Sequence, residues 1–231
     1  MEGIRLVEAA MLAGADILEL LVQTGYTTDR VEALVRLGTC PVHEITAQQF
    51  GLISDVQQSQ GVLAVARIPA NDVIWNPGLH RRILAFDGVQ DPGNVGTLIR
   101  TAAWFGIDGV VGGSQTADFY QPKVVRSTMG GLWDVDLARI EDLASWLVEM
   151  KAAGYDVCGA SMAGTAYQQW QPESPAILVL GAEAHGISEE VLECLDEEIF
   201  IPKFGKGKHA SVESLNVSAA GAILVENWCN Q

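Results

Sequence analysis

Three short segments concentrate the residue types able to do chemistry. The first, Asp87-Gly88-Val89-Gln90-Asp91-Pro92-Gly93-Asn94-Val95-Gly96, is a turn dense in Asp, Pro, Gly and Asn that runs straight into a helical pattern over 94–105. Asn94 reads as the N-cap of that helix, because its side-chain oxygen can accept from the N–H groups a first turn leaves open. Val95, Leu98, Ile99, Ala102, Ala103, Trp104 and Phe105 make the helix apolar round most of its circumference, so burial is expected. Arg100 is its only charge. A lone helical arginine ordinarily faces water, yet on so apolar a helix a carboxylate partner or a ligand phosphate is the sharper expectation.

The second segment, Gly181-Ala182-Glu183-Ala184-His185-Gly186-Ile187-Ser188, follows the strand candidate Ile177–Leu180. Gly181 gives a ligand room to approach the backbone, and Ser188 is placed to open a helix. Glu183 stands where it can orient a cation such as Arg100, or simply face water in a turn. The third begins at Ile201-Pro202, passes Lys203, Lys206 and Lys208, and reaches Ser214 and Asn216 at the start of a helix of small residues. Capping is one account of these two; backbone groups left free for a ligand is the other.

Much else is excluded. Neither GxGxxG nor GxxxxGK[ST] occurs, so no loop is built to cradle a nucleoside triphosphate. His43, His80, His185 and His209 lack metal-ligand spacing, and Cys40, Cys158, Cys194 and Cys229 form no CxxC pair, so no metal is expected and the thiols read as reduced. No apolar run is long enough to span a membrane and no secretory pattern opens the chain, which places it in the cytoplasm by expectation. The net charge of −15, 14 basic against 29 acidic residues, opposes indiscriminate binding of polyanions. The charge is uneven, however: acids crowd into 134–149 and 183–198, while Arg81-Arg82, Lys123 with Arg126, and Lys203, Lys206 and Lys208 form basic points.

The elements that must position these residues alternate. Strand candidates at Ile83–Phe86, Gly109–Val111, Asp156–Ala160, Ile177–Leu180 and Ile199–Ile201 are interleaved with helical patterns at 94–105, 120–129, 141–152, 188–195 and 213–227. That order predicts an α/β fold with a mostly parallel sheet, whose ligands sit beyond the carboxyl ends of the strands. Residues 1–70 form a smaller α/β unit with a helix around Leu6–Leu12 and strands at Ile17–Val22 and Gly61–Arg67. Residues 71–79, rich in turn formers, read as a linker to a domain over 80–231.

Taken together, Asp91-Pro92-Gly93-Asn94-Val95-Gly96 through Arg100-Thr101-Ala102, Leu180-Gly181-Ala182-Glu183, and Ile201-Pro202 with Ser214-Leu215-Asn216-Val217-Ser218 resemble the three motifs of the SpoU (TrmH-like) RNA 2′-O-ribose methyltransferases of the SPOUT superfamily. The resemblance covers residues 80–228 strongly, with Lys123–Gly130 similar to the family's middle segment. It implies a trefoil-knotted, parallel-sheet methyltransferase domain, a homodimer, and S-adenosylmethionine as methyl donor. It implies catalytic roles for Asn94, Arg100, Glu183, Ser214 and Asn216. It implies a cofactor pocket from Ala160, Ser161, Leu180, Gly181, Ile201, Leu215 and Asn216, and RNA contacts from Arg100, Lys123, Arg126, Lys203, Lys206 and Lys208. The smaller unit corresponds to an RNA substrate-binding domain that Met1-Glu2-Gly3 enters partway, and its type favours ribosomal over transfer RNA. A non-catalytic, cofactor-binding RNA-binding dimer and a methyltransferase for a non-RNA acceptor are the competing readings.

Overall fold

The computed structural model describes residues 1–26, 28–56, 58–172, 175–205 and 212–230. In the N-terminal part, α1 (Ile4–Leu12), β1 (Ile17–Gln23), α2 (Asp29–Leu37), β2 (Val42–Ile45), α3 (Ala47–Ile53) and β3 (Val62–Ala66) build a sheet of order β2-β1-β3. β1 runs parallel to β2 and antiparallel to β3, over a core of Val7, Leu20, Val31, Leu34 and Val62. α2, β2 and α3 are additions to the sequence reading. Their caps were nevertheless encoded: the Thr28 hydroxyl accepts from Val31 N at 3.2 Å, and Thr46 with Gln49 forms a reciprocal capping box.

Residues 67–81 contain no helix or strand. They are nonetheless pinned, because Trp75 lies 5.1 Å from the His80 ring and 5.9 Å from that of Trp146. Beyond them come β4 (Arg82–Asp87), α4 (Pro92–Phe105), β5 (Gly109–Gly112), α5 (Pro122–Thr128), β6 (Asp136–Arg139), α6 (Leu143–Ala152), β7 (Asp156–Ala166), β8 (Ala176–Gly181), α7 (Glu189–Leu192), β9 (Glu197–Phe200) and α8 (Val217–Cys229). The sheet order is β6-β5-β4-β8-β7-β9 and, among the described residues, its strands pair in parallel, as expected.

β4 and β8 occupy the centre, and their side chains alternate between two apolar layers. Leu84, Phe86, Leu178 and Leu180 join the layer of α4, α5 and α8, while Ile83, Ala85, Ile177 and Val179 join that of α6 and α7. Burial on both faces explains why these strands read as unbroken apolar runs. The chain leaves β4 toward β5 and β6, then returns to the other side for β7, β8 and β9, so the topology switches between β4 and β8. Open α/β sheets bind ligands in the crevice at such a point.

Several expectations are corrected here. β6 interrupts a segment that read as acidic and then helical, and β7 continues to Ala166 past a register shift against β9 between Ala160 and Thr165. α8 begins at Val217, four residues later than its pattern suggested, and α7 spans only Glu189–Leu192. α4 starts at Pro92, and Asp91, not Asn94, is its N-cap: the Asp91 carboxylate accepts from Asn94 N at 3.0 Å. Proline at the first helical position, where its missing N–H costs nothing, moves the cap one residue upstream of it. Nor is α4 buried all round, since Thr97, Arg100 and Trp104 line an exposed face and Trp104 is 84% exposed. Among the described residues, no helix is long and apolar enough to cross a membrane.

α4 is held against its neighbours by two close approaches. A Cβ on Gly96 would lie 2.4 Å from Ser127 Cβ and 2.7 Å from Val124 O of α5, and one on Gly221 of α8 would lie 2.4 Å from Leu98 Cδ2. Gly96→Ala should therefore lower the urea midpoint by the equivalent of about 1–3 kcal/mol, although alanine is the better helix former, because the carbonyl it meets has nowhere to go.

Candidate active site

Asp87, the last residue of β4, pairs in register with Gly181, the last of β8, so the loops that follow the two central strands start side by side. The loop after β8 folds back at once through an antiparallel bridge between Ala182 and Gly186. A Cβ on Gly181 would sit 2.2 Å from the Gly186 carbonyl carbon, so the close approach that glycine permits here is by the chain itself rather than by a ligand. Ser188 N then donates to Asp87 Oδ2 at 2.6 Å, tying the far end of the loop to β4.

Onto this frame the three chemical segments converge. Asn94 Nδ2 donates to Glu183 Oε1 at 2.8 Å; Asn216 Nδ2 donates to the same oxygen at 2.7 Å and to Asn94 Oδ1 at 3.0 Å. Asn216 Oδ1 meanwhile accepts from Ser218 N at 3.1 Å and Ala219 N at 3.3 Å, capping α8. The Ser218 hydroxyl donates to Asn216 Oδ1 at 2.6 Å and lies 3.3 Å from Asn94 Oδ1. Each amide can satisfy these partners in only one orientation, so the network fixes which atoms face outward.

Glu183 also lines a cavity of about 600 Å³ between the loop after β8, the end of β9 and the start of α8. Ala160, Ser161, Leu180, Gly181, Ile201, Leu215 and Ser214 all contribute to its wall, which brings six of the seven expected cofactor residues together. Asn216 is absent from the wall and reaches the cavity through Glu183. Leu180, Ile201, Leu215 and Leu224 give an apolar floor, with Glu183, Lys203, Glu213 and Ser214 as polar elements. That volume and lining suit a nucleoside-sized ligand with a charged end, and so fit S-adenosylmethionine.

The remaining candidates stand apart. Arg100 is exposed and, among the described residues, has no hydrogen-bond or ion-pair partner, and the cation that Glu183 was expected to orient is replaced by two amides. Six residues beyond Asn94, it lies about 9 Å further along α4 and roughly 240° round it, hence on another face. Lys123 Nζ lies 3.4 Å from Asp91 Oδ2, Arg126 is 3.5 Å from Asp55 of the N-terminal part, and Lys203 Nζ donates to Val212 O at 2.6 Å. Lys206 and Lys208 lie outside the described residues. Asp87 and Ser218 were missed as site residues. Ser218 sits within the third motif and Asp87 at the mouth of the first, so adjacency was the available signal.

Among the described residues, no group of three His, Cys, Asp or Glu side chains is placed to hold a metal. Burial pushes the Cys158, Cys194 and Cys229 thiols up, which keeps them protonated and unreactive.

Residues 81–226 match the profile of the SpoU rRNA Methylase family. The chain is 33% identical over 225 residues, 97% of its length and 85% of the relative's, to the 23S rRNA (guanosine(2553)-2'-O)-methyltransferase RlmP of Bacillus subtilis. Its fold superposes with a TM-score of 0.82 on the AdoMet-bound rRNA methyltransferase from Sinorhizobium meliloti, at 27% identity over 98% of this chain and 85% of the other. The SpoU methyltransferase AviRb from Streptomyces viridochromogenes, solved with AdoMet, shares the fold at a TM-score of 0.88, with 24% identity, covering 100% of this chain and 89% of that one.

Two outcomes follow from the network. In a double-mutant cycle, Asn94→Ala and Asn216→Ala should couple by about 1 kcal/mol in urea unfolding, because each removes a partner of the other. Asp91 is held below its ordinary 3.8, chiefly by the Asn94 N–H. Its contribution to stability is complete above 3.8 and is lost as pH falls through the lower folded-state value. Asp91→Asn, which keeps an acceptor but does not titrate, should flatten that part of the acid-unfolding curve.

Proposed function

The chain belongs to the SpoU rRNA methylase family, and on that premise we propose that it methylates a ribose 2′-hydroxyl of ribosomal RNA. It is an RNA methyltransferase, and its methyl donor is S-adenosylmethionine. The observation that carries the finer reading is the Asn94–Glu183–Asn216 network at the edge of an apolar cavity. The cavity takes the donor, and the network holds the acceptor side of the reaction. When bound, S-adenosylmethionine supplies a sulfonium methyl, taken in line by the 2′-oxygen while sulfur keeps the electrons of the broken bond.

This chain's residues supply geometry and charge. The apolar floor excludes water from a step in which opposite charges cancel. Leu180, Gly181, Ile201 and Leu215 hold the adenosyl part, with Ala160 and Ser161 beside them. Glu183 is fixed by two amide donors, so its carboxylate presents a set direction to the acceptor, and Ser214 on the wall adds a hydroxyl. Arg100 grips the phosphate next to the acceptor ribose, and its positive charge eases loss of the 2′-proton to solvent on the acceptor side. A homodimer belongs to the same reading and is supported by the exposed face of Thr97, Arg100 and Trp104 on α4, where a second copy gives Arg100 a setting one chain lacks. The trefoil knot of the family, the cytoplasmic location, an RNA-binding role for residues 1–70, and RNA contacts from Lys123, Arg126, Lys203, Lys206 and Lys208 complete it. The preference for ribosomal over transfer RNA is supported by the likeness to the Bacillus subtilis relative along nearly the whole chain.

Mapping 2′-O-methylation in RNA from cells with and without the gene tests the proposal: one ribosomal ribose should lose its methyl when the gene is removed. An unchanged map, or methylation that survives ribonuclease treatment of the substrate pool, overturns it. Arg100→Lys, which keeps the charge and loses the planar fork, should bind S-adenosylmethionine normally in calorimetry while turnover falls about a hundredfold.

A further inference from the structure

Arg139 ends β6 at the edge of the sheet, and none of the chemistry above uses it. Its guanidinium faces main-chain carbonyls of one loop: Nη1 donates to Thr116 O at 2.8 Å and Ala117 O at 3.1 Å, and Nη2 to Ser114 O at 3.0 Å and Gly113 O at 3.3 Å. Four carbonyls gathered on one planar cation fix the path of the loop, since few other side chains carry enough donors in a rigid fork.

That loop in turn braces the segment leading to Asn94. Gly113 N donates to Phe86 O at 2.9 Å, the Thr116 hydroxyl to the same oxygen at 2.8 Å, and Ala117 N to Val89 O at 3.0 Å. Gly88, at φ +74°, lies between them: a Cβ there would be 3.8 Å from Gln115 Cβ of the loop and 3.7 Å from Ala182 Cβ, beside Glu183. The loop held by Arg139, the turn before Asn94 and the turn bearing Glu183 therefore meet at one backbone position. We propose that Arg139 is a positioning residue for methyl transfer, setting the place of Asn94 and Glu183 through the loop 113–117. The kinetic part of this rests on the function proposed above.

The test compares Arg139→Ala, Arg139→Lys and Asn71→Ala. Asn71 exchanges bonds with the Arg139 main chain, Nδ2 to O and N to Oδ1, both at 2.8 Å, and so loosens the same strand without touching the loop. Arg139→Ala should speed amide hydrogen exchange over residues 86–94 and lower kcat about ten- to a hundredfold. The Kd for S-adenosylmethionine should change much less than kcat, because loop 113–117 does not line the cavity and, of the two residues it places, only Glu183 does. Arg139→Lys should restore part of kcat, and Asn71→Ala should retain it at a comparable loss of thermal midpoint. Unchanged exchange over 86–94 overturns the proposal, as does an equal fall of kcat in Asn71→Ala. Should Arg139→Ala not fold, Arg139→Lys decides by the same split between kcat and Kd. If the unaltered protein methylates no RNA, the proposed function fails, while the exchange measurement, which needs no acceptor, still decides the role of Arg139.

Discussion

One side-chain amide holds the site together. Asn216 gives its oxygen to the open N–H groups of α8 and its nitrogen to Glu183 and Asn94, so a helix cap and a strut of the candidate site are the same residue. Aspartate and serine cap helices equally well, but an ionised aspartate has no donor and serine only one, which leaves asparagine as the type that meets both demands. Because the amide cannot rotate without losing one set of bonds, the start of α8 is tied to the loops after β4 and β8. The fit of Gly221 against Leu98 and Leu180 sets the same helix at its middle. Two anchors on one rigid element determine both its position and its rotation.

The sheet makes this convergence available. β4 and β8 are far apart in the chain and adjacent in space, so the loops at their carboxyl ends share a crevice that each alone would leave half built. Their unbroken apolar runs follow from having helices on both faces, and the layers above and below fix the height at which the loops emerge. Chemistry is thus confined to short polar segments, while the strands beneath carry none of it.

The reading of the sequence succeeded where a residue's type constrains it locally and failed where a distant partner decides. The central strands and the three chemical segments were legible because buried parallel strands and turn formers leave strong local patterns. Of the six expected pocket residues that line one cavity, Leu180 and Gly181 close β8 and Ile201 follows β9, whereas Ala160 and Ser161 lie within β7. The cap of α4 was misplaced by three residues because Asn94 has the chemistry of a cap, yet Pro92 settles where the helix begins. Gly181 was read as room for a ligand; only the structure shows Gly186 filling that room. Arg100 was expected to meet a carboxylate or a ligand phosphate, and its exposure depends on which faces α5 and α8 cover. α2 and α3 escaped notice because each buries only one or two apolar side chains.

The network's span along the chain has a consequence for its biosynthesis. Asn94 and Asn216 are 122 positions apart, and α8 is translated after every strand it packs on. Closing so long a loop carries an entropic cost that only late contacts repay. A nascent chain whose sheet is already assembled therefore still lacks one wall of the cavity and the amide that donates to Glu183. On the function proposed above, a chain still short of α8 has no means of modifying the RNA of the ribosome that holds it.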